Sequence, residues 1–257
     1  MTTSNARLTA ADKTLIVLQA AIEHERFSDI VTATGFAKAT VHRILQTLLD
    51  YEFVYLASDG TYAPGVTSLR LASRAFNSID ISEVANPVLT QLAEETGYTV
   101  HVGALNVNEA IYVAKRQGPT PYEIPSTIGK RLPLHSTAIG KCLLADMDTS
   151  QLASVVKQAG LAPLTPNTIT TPEDLDQEIA VVRTRGYSFD DEENVPGIRC
   201  IGAPIFDHSG KATYGISLTS LAMEKTLKQI ERFAPLVTEA AAEISHNLGA
   251  DTTKYSS

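Results

Sequence analysis

The residues best suited to binding a ligand lie near the middle of the chain. Residues 132–141 are predicted to form an extended segment that enters a helix, which Ser136 or Thr137 can cap. The first backbone N–H groups of that helix, at about Ala138 and Ile139, have no partner within the helix. Together with the helix dipole, these donors favour a carboxylate or another anion. No glycine-rich phosphate loop precedes the helix, so a nucleotide is disfavoured.

Two hydroxyls and a thiol are predicted on neighbouring strands. Ser217 and Thr219 are two residues apart, so they share one face of the last predicted strand, and Cys200 lies on the strand before it. A cavity with hydroxyls, a thiol and helix N–H groups suits a small, oxygen-rich ligand. The structural alternatives are that Cys200 is a packed core thiol and that Ser217 satisfies a strand neighbour.

Cys200 and His135 also suggest a different chemistry, in which a thiol nucleophile is activated by an imidazole base. The sequence has no nucleophile elbow and no catalytic signature around either residue. His135 is equally consistent with a buried, hydrogen-bonded histidine. Cys142 and Cys200 lack the spacing of a structural zinc site, so they are expected to be two buried thiols. An enzyme therefore remains an alternative, and no metal or cofactor is expected.

Composition indicates an ordinary two-domain protein. The chain has 257 residues, of which 44% are hydrophobic and 19% charged, and its net charge is −8. The first 75 residues contain seven Lys/Arg and seven Asp/Glu, so the whole negative excess lies downstream. A neutral domain can still bind DNA if its basic residues cluster on one face. The sequence has no membrane-length apolar run and no secretion signal, so a cytoplasmic location is expected.

The first third of the chain has the element order of a winged helix-turn-helix. Asp12 is a candidate N-cap for the first helix, and Ser28 for the second. Gly35 suits a turn with positive φ. On the first helix, Leu15, Leu18 and Ile22 are predicted to form the buried face. The predicted elements are helices at residues 12–24, 27–34 and 38–51, a hairpin at 53–63 around an Asp-Gly turn, and a connecting helix at 67–77.

The third helix is predicted to read DNA. Val41 and Ile44 have the spacing of core anchors, which leaves the start of the helix exposed for base contacts. Arg43 can bind guanine with two hydrogen bonds, and Lys38 can pair with phosphate or a base. The alternatives are that Arg43 pairs with a carboxylate, or that the winged helix binds protein instead of DNA. The candidate DNA-binding residues are Ala37, Lys38, Thr40, His42 and Arg43.

The rest of the chain mixes helices with hairpins, which predicts an α+β domain with a largely antiparallel sheet. The predicted helices are residues 82–96, 138–146, 149–158, 172–185 and 223–247, and the predicted strands are 99–105, 110–116, 187–190, 200–206 and 212–219.

Three separate stretches resemble IclR-type transcription regulators. They are residues 34–48 with the end of the wing at 62–65, residues 129–145, and residues 186–205, and the likeness extends over about residues 10–248. The resemblance implies a winged helix-turn-helix at 1–65, a helical linker at 66–78, and a GAF-like effector-binding and oligomerisation domain at 79–257, whose antiparallel sheet is flanked by helices. One departure is Gly202, where many members have alanine, and its effect is expected to be slight.

The resemblance also implies a function and a ligand site. Such proteins are regulators rather than enzymes, bind double-stranded operator DNA, and form homodimers that pair into homotetramers. The implied effector is a small organic or aromatic acid, although the bulk of Ile139 disfavours the smallest keto acids. The four acidic residues from Asp190 to Glu193 are, in the alternative reading, a solvated turn. The implied effector-binding residues are Ile124, Ala138, Ile139, Asp190, Ile198, Cys200, Ser217 and Thr219.

Overall fold

The computed structural model describes residues 8–119, 124 and 126–251. Contacts divide the chain into two compact units, Met1–Ile79 and Asp80–Ser257. Among the helices described, none is both long and apolar enough to span a bilayer.

The first unit is a winged helix-turn-helix, as the sequence predicts. Gly35, at φ +66°, ends the second helix, and Gly60, at φ +83°, lies in the turn of the hairpin. Both glycines adopt the left-handed conformation that these turns require. The elements are α1 (Ala10–Glu23), α2 (Phe27–Thr34), α3 (Lys38–Asp50), β1 (Val54–Leu56), β2 (Tyr62–Pro64) and α4 (Val66–Ser78).

Three details of the first two helices differ from the prediction. Thr9, not Asp12, is the N-cap of α1, and Asp12 is the N3 residue that completes the capping box. The N-cap of α2 is Arg26, whereas Ser28 already lies inside the helix. A cap depends on which residue leaves helical geometry, and a permitted residue type does not determine that position.

The predicted buried face of α1 is correct only for Leu18, which packs against the core of the unit. Leu15 is 65% exposed and Ile22 is 48% exposed. The buried side chains are Val17, Ala20 and Ala21, which lie on an adjacent stripe. Two apolar stripes run along this helix, and the smaller side chains face the other helices because they allow a closer approach.

The second unit contains a six-stranded antiparallel sheet with the strand order β5-β4-β3-β8-β7-β6. Its strands are β3 (Thr99–Asn106), β4 (Glu109–Arg116), β5 (Arg131–Pro133), β6 (Ser188–Asp191), β7 (Ile198–Phe206) and β8 (Ala212–Leu221). Its helices are α5 (Ile81–Thr96), α6 (Ala138–Ala145), α7 (Thr149–Ala159), α8 (Pro172–Arg185), α9 (Leu227–Ile230) and α10 (Ala234–Asn247).

The two faces of this sheet differ in chemistry. Val100, Val102 and Leu218 point to one face, where they form the main core with α5 and α10. Successive residues of a strand alternate between faces. His101 and Ser217 therefore point to the other face, which α6 covers. One face of the sheet stabilises the fold, and the other is partly polar.

The last predicted helix, residues 223–247, is interrupted. Thr226 caps the short helix α9, a 3₁₀ turn follows at Glu231–Phe233, and α10 begins at Ala234. Pro235 lies in the first turn of α10, a position where proline is tolerated, whereas the interior of one continuous helix would exclude it. The three-residue edge strand β5 was not predicted.

Candidate recognition helix and buried cavity

The start of α3 carries all five candidate DNA-binding residues. The side chains of Lys38, His42 and Arg43 are exposed, as is Ala37, and Thr40 is half-buried. The opposite side of the helix forms the core of the unit through Val41, Ile44, Leu45 and Leu48, as predicted.

Backbone donors accompany these side chains. Ala37 is the N-cap of α3 and Arg26 the N-cap of α2, and neither helix has a side-chain cap. Uncapped N–H groups and the helix dipole attract anions such as phosphate.

Two contacts bear on the alternatives for this helix. None of the ion pairs within the described residues involves Arg43. The ring of His42 lies edge-on to Phe27, with 6.3 Å between the ring centroids, so His42 also packs against α2. The side chain of Arg43 is therefore available for an external partner, whereas that of His42 also contributes to the packing of α3 against α2.

A cavity of about 170 Å³ lies between α6 and the polar face of the sheet. The structure brings together around it all eight candidate effector-binding residues: Ile124, Ala138, Ile139, Asp190, Ile198, Cys200, Ser217 and Thr219. Three polar side chains that sequence reasoning did not include, Tyr112, Ser126 and Asn194, also line it, and exposed Lys130 contributes to its wall.

Strand register explains why these residues meet. Thr219 on β8 is opposite Cys200 on β7, and Cys200 is opposite Asp190 on β6. In the adjacent row, Ser217 lies between His101 and Gly202. Antiparallel pairing thus places side chains from four strands on one floor.

The N-terminus of α6 forms the roof. The hydroxyl of Thr137 accepts a hydrogen bond from the N–H of Gly140 (3.1 Å), and the carbonyl of Thr137 accepts one from the N–H of Lys141 (2.9 Å). Among the described residues, the N–H groups of Ala138 and Ile139 have no partner. Thr137, rather than Ser136, is thus the cap, and two donors are left free.

Gly202 lies close to the first turn of α6. A Cβ atom built there would lie 2.8 Å from the carbonyl oxygen of Ile216 and 3.2 Å from Ala138. Alanine at this position would therefore require β8 or the start of α6 to shift slightly. The missing side chain allows the first turn of α6 to approach the sheet.

His101 is buried behind the cavity lining and joins two lining residues, Ser126 and Thr219, by hydrogen bonds. Its Nε2 lies 2.7 Å from the hydroxyl of Ser126, and its Nδ1 lies 3.4 Å from the hydroxyl of Thr219. The imidazole stacks on Tyr112 with 4.5 Å between ring centroids. Burial lowers the pKa of His101 to about 3, so the ring is neutral. The alternation along β3, which puts His101 on the face of Gly103, was the signal that could have identified it.

Asp190 is buried in the wall of the cavity. Its Oδ1 accepts hydrogen bonds from the N–H groups of Glu193 (2.8 Å) and Asn194 (3.2 Å). Glu193 is buried too, and its carboxylate pairs with Lys141 at 2.6 Å. The solvated-turn alternative is therefore wrong for Asp190 and Glu193, which are buried, whereas Asp191 and Glu192 are half-buried and pair with Arg199.

Comparison with known proteins identifies the family. The model for the IclR helix-turn-helix domain matches residues 10–56, and the model for the bacterial transcriptional regulator IclR C-terminal domain matches residues 73–246. The chain belongs to the IclR family of transcription regulators. It therefore has a DNA-binding helix-turn-helix and a C-terminal effector-binding domain.

Individual IclR-family relatives cover most of the chain. The Escherichia coli K12 regulator XynR is 32% identical over 225 residues, which is 87% of this chain and 89% of the relative. The transcriptional repressor IclR of the same strain is 31% identical over 221 residues, 85% of this chain and 81% of the relative. The crystal structure of Agobacterium tumefaciens repressor BlcR aligns with a TM-score of 0.75 and 28% identity, covering 93% of this chain and 96% of BlcR.

The geometry agrees with a regulator rather than a thiol enzyme. Burial raises the pKa of the Cys200 thiol, which therefore stays protonated. His135 does not line the cavity, and its Nε2 donates a hydrogen bond to the carbonyl of Ala162 (3.1 Å). Cys200 and His135 are thus not a nucleophile–base pair, and the IclR-family relatives are regulators.

Proposed function

We propose that this IclR-family regulator binds a palindromic operator through α3 and that a small organic or aromatic acid in the cavity controls this binding. The observation that carries the proposal is a cavity whose roof presents two free backbone N–H groups, at Ala138 and Ile139. Such donors at a helix N-terminus favour an anion.

The polar wall supports an acid. Ser217 is only 3% exposed, and within the described residues its hydroxyl has no hydrogen-bond partner, so it can serve a ligand. Exposed Lys130 adds a positive charge to the lining. A carboxylate oriented toward Ala138 and Ile139 would satisfy donors that are otherwise unused.

The size of the cavity supports a compact ligand. Its volume is about 170 Å³. A protein cavity of about 150 Å³ accommodates one benzene molecule. A single-ring acid or an aliphatic acid of similar bulk is the class that fits.

A homodimer or homotetramer is the proposed assembly. One recognition helix reads only a few base pairs, so helix-turn-helix proteins usually pair on palindromic half-sites. On α4, Val66 is 55% exposed and Leu69 is 62% exposed, and these side chains, three residues apart, share one apolar face that supports contact with a second copy. Light scattering at micromolar concentration is expected to give a multiple of the 27.6 kDa chain, and a monomer would contradict the proposal.

The effector class can be tested with one backbone donor. Ala138 is the first residue of α6, where proline is tolerated, and Thr137 has the extended conformation (φ −117°, ψ 147°) that proline requires before it. Ala138→Pro therefore removes an N–H while keeping the helix. Thr149→Pro is the matched control, because Thr149 is the first residue of α7, outside the cavity lining.

The measurement is a thermal-shift screen of the full chain. Benzoate, hydroxybenzoates, phenylacetate and pyruvate are compared with benzamide and benzhydrazide, and a bound ligand raises Tm by mass action. We expect at least one acid to stabilise the wild type and Thr149→Pro, with the shift at least halved in Ala138→Pro. Stabilisation by the neutral compounds alone, or an equal shift in both proline variants, would refute an acid bound at α6.

Control of DNA binding requires a second measurement. An operator is selected from random duplexes with the full chain, and its affinity is measured with and without the stabilising acid. An unchanged affinity would show that the cavity does not control DNA binding, because an effector must bind two states of the regulator differently.

A further inference from the structure

We propose that an anionic effector enters the cavity together with one proton, which the side chain of Asp190 carries at Oδ2, a step that rests on the proposed function. The neutral carboxyl would donate its O–H to the effector's carboxylate. One proton is taken from solvent, no covalent bond to the effector forms, and the pair carries one negative charge instead of two.

The geometry assigns the proton to one oxygen. Asp190 is 2% exposed, and its Oδ1 accepts both backbone N–H bonds of its loop. Within the described part of the chain, Oδ2 has no hydrogen-bond partner, and Asp190 lines the cavity. An acceptor that already holds two N–H donors is a poor place for a proton, whereas Oδ2 is free.

Within the described residues, no ion pair joins Asp190 to a cation. Lys141, on α6, is the buried lysine near it, and its ammonium is occupied by Glu193 at 2.6 Å and Glu178, on α8, at 3.4 Å. Lys130, before β5, is exposed to solvent. Two acidic groups thus share one lysine, and Asp190 has no cation of its own.

The buried titratable groups of the sheet around the cavity are neutral, and the half-buried Lys115 on β4 donates its hydrogen bonds to the carbonyls of Ile124 and Ser126. Burial raises the pKa of Cys200 on β7 and of Tyr112 on β4, so both remain protonated. His101 on β3 is neutral because burial lowers its pKa. Arg199, further along β7, is bound to Asp191 and Glu192. An effector carboxylate would therefore meet an uncompensated carboxylate unless Asp190 were protonated.

The pKa of Asp190 favours this protonation near neutral pH. Burial raises its pKa to about 7, and the charge of Glu193 adds to the rise, while the two N–H donors and Lys141 oppose it. Below pH 7 the carboxyl is already neutral, so the affinity for an anion is flat. Above pH 7 each bound anion must bring in a proton, so Kd rises about tenfold per pH unit.

The test is calorimetric titration of the full chain with benzoate, or with the panel acid that gives the largest thermal shift. These acids have a pKa of about 4, so they stay ionised from pH 6 to 9. Titrations in two buffers of different ionisation enthalpy give the protons taken up per ligand. We expect uptake near zero at pH 6 and close to one at pH 8.5, with Kd about tenfold weaker at pH 9 than at pH 8.

Asp190→Asn keeps a neutral side chain at every pH. We expect it to bind the acid with a pH-independent Kd and no proton uptake, so that it binds more tightly than the wild type at pH 9. Asp176→Asn, an exposed change on α8, is the matched control and should retain the wild-type pH profile. If Asp190→Asn does not fold, proton uptake by the wild type still decides the question.

The possible failures are distinguishable. In the first, an acid binds the wild type with no proton uptake and with the same Kd from pH 6 to 9. That result would refute the coupled uptake of a proton by Asp190 and leave the proposed function intact. If folded Asp190→Asn cannot bind the acid at pH 6, Asp190 has a different role and the inference is wrong. If no acid in the panel binds, the proposed effector class falls and the coupled proton with it.

Discussion

The surface of α3 and the wall of the cavity use polar side chains in opposite ways. On α3, Lys38 and Arg43 extend into solvent and form no ion pair within the described residues. At the cavity, Asp190 in the lining and His101 behind it are buried and hydrogen-bonded to the protein itself. The exposed surface of α3 can thus change without affecting the fold, whereas the cavity wall is also part of the core.

The contrast is clearest for two lysines. Lys38 is exposed, but Lys141 is 1% exposed and lies between Glu193 and Glu178. A buried charge is tolerated only when it is paired. The same residue type is therefore a DNA-contact candidate in one unit and a structural element in the other.

The largest effect is expected for Lys141→Ala. The substitution leaves the buried Glu193 carboxylate without its cation, which costs about 3–5 kcal/mol of the free energy of unfolding. Urea denaturation of the full chain measures this loss when the unfolding of the second unit is followed. Lys38→Ala is the matched control and should leave that free energy unchanged. Equal losses of the free energy of unfolding in the two variants would show that the buried and the exposed lysine do not differ in structural importance.

A smaller effect, confined to DNA, is expected for Arg43→Ala. Losing a two-bond contact with guanine reduces discrimination between the selected operator and a mismatched duplex by about 1–3 kcal/mol, with no change in Tm. Fluorescence anisotropy with both duplexes measures the difference. Arg43→Lys keeps the charge and should lose discrimination but retain general affinity. A variant with full discrimination would show that Arg43 does not read a base.

The smallest effect is expected for Lys38→Ala in DNA binding. If Lys38 contacts a phosphate, its removal lowers the slope of log K against log salt by about 0.9. Operator titrations at several salt concentrations give the slope. Lys157→Ala removes the same charge from the exposed end of α7 and should leave the slope unchanged. An identical decrease in both variants would point to net charge rather than a contact.

Helix α3 and its exposed start could be predicted from sequence because the pattern is local. Val41 and Ile44 recur at helical spacing, and Gly35 marks the turn, so the exposed positions follow without any distant partner. Local periodicity did not settle the buried face of α1, where Leu15 and Val17 lie on competing apolar stripes.

Only some of the residues at the cavity could be predicted from the sequence. Ser217 and Thr219 follow from strand alternation, whereas Asp190 entered through the family resemblance. His101 was missed because its place beside Ser217 depends on the pairing of β3 with β8, which are separated by most of the second unit. The role of Lys141 was missed as well, because no residue near it in sequence indicates a buried ion pair with Glu193.

The free N–H groups at the start of α6 have an evolutionary consequence. A main-chain N–H is common to all residues except proline, so substitutions at Ala138 and Ile139 rarely abolish it. The side chains around the cavity, such as Ile198 and Ser217, can each be exchanged. Under the proposed function, the attraction for an anion would be robust to mutation while the selectivity for ligand shape could change, so descendants of one ancestral regulator could diverge toward different acids without first losing anion binding.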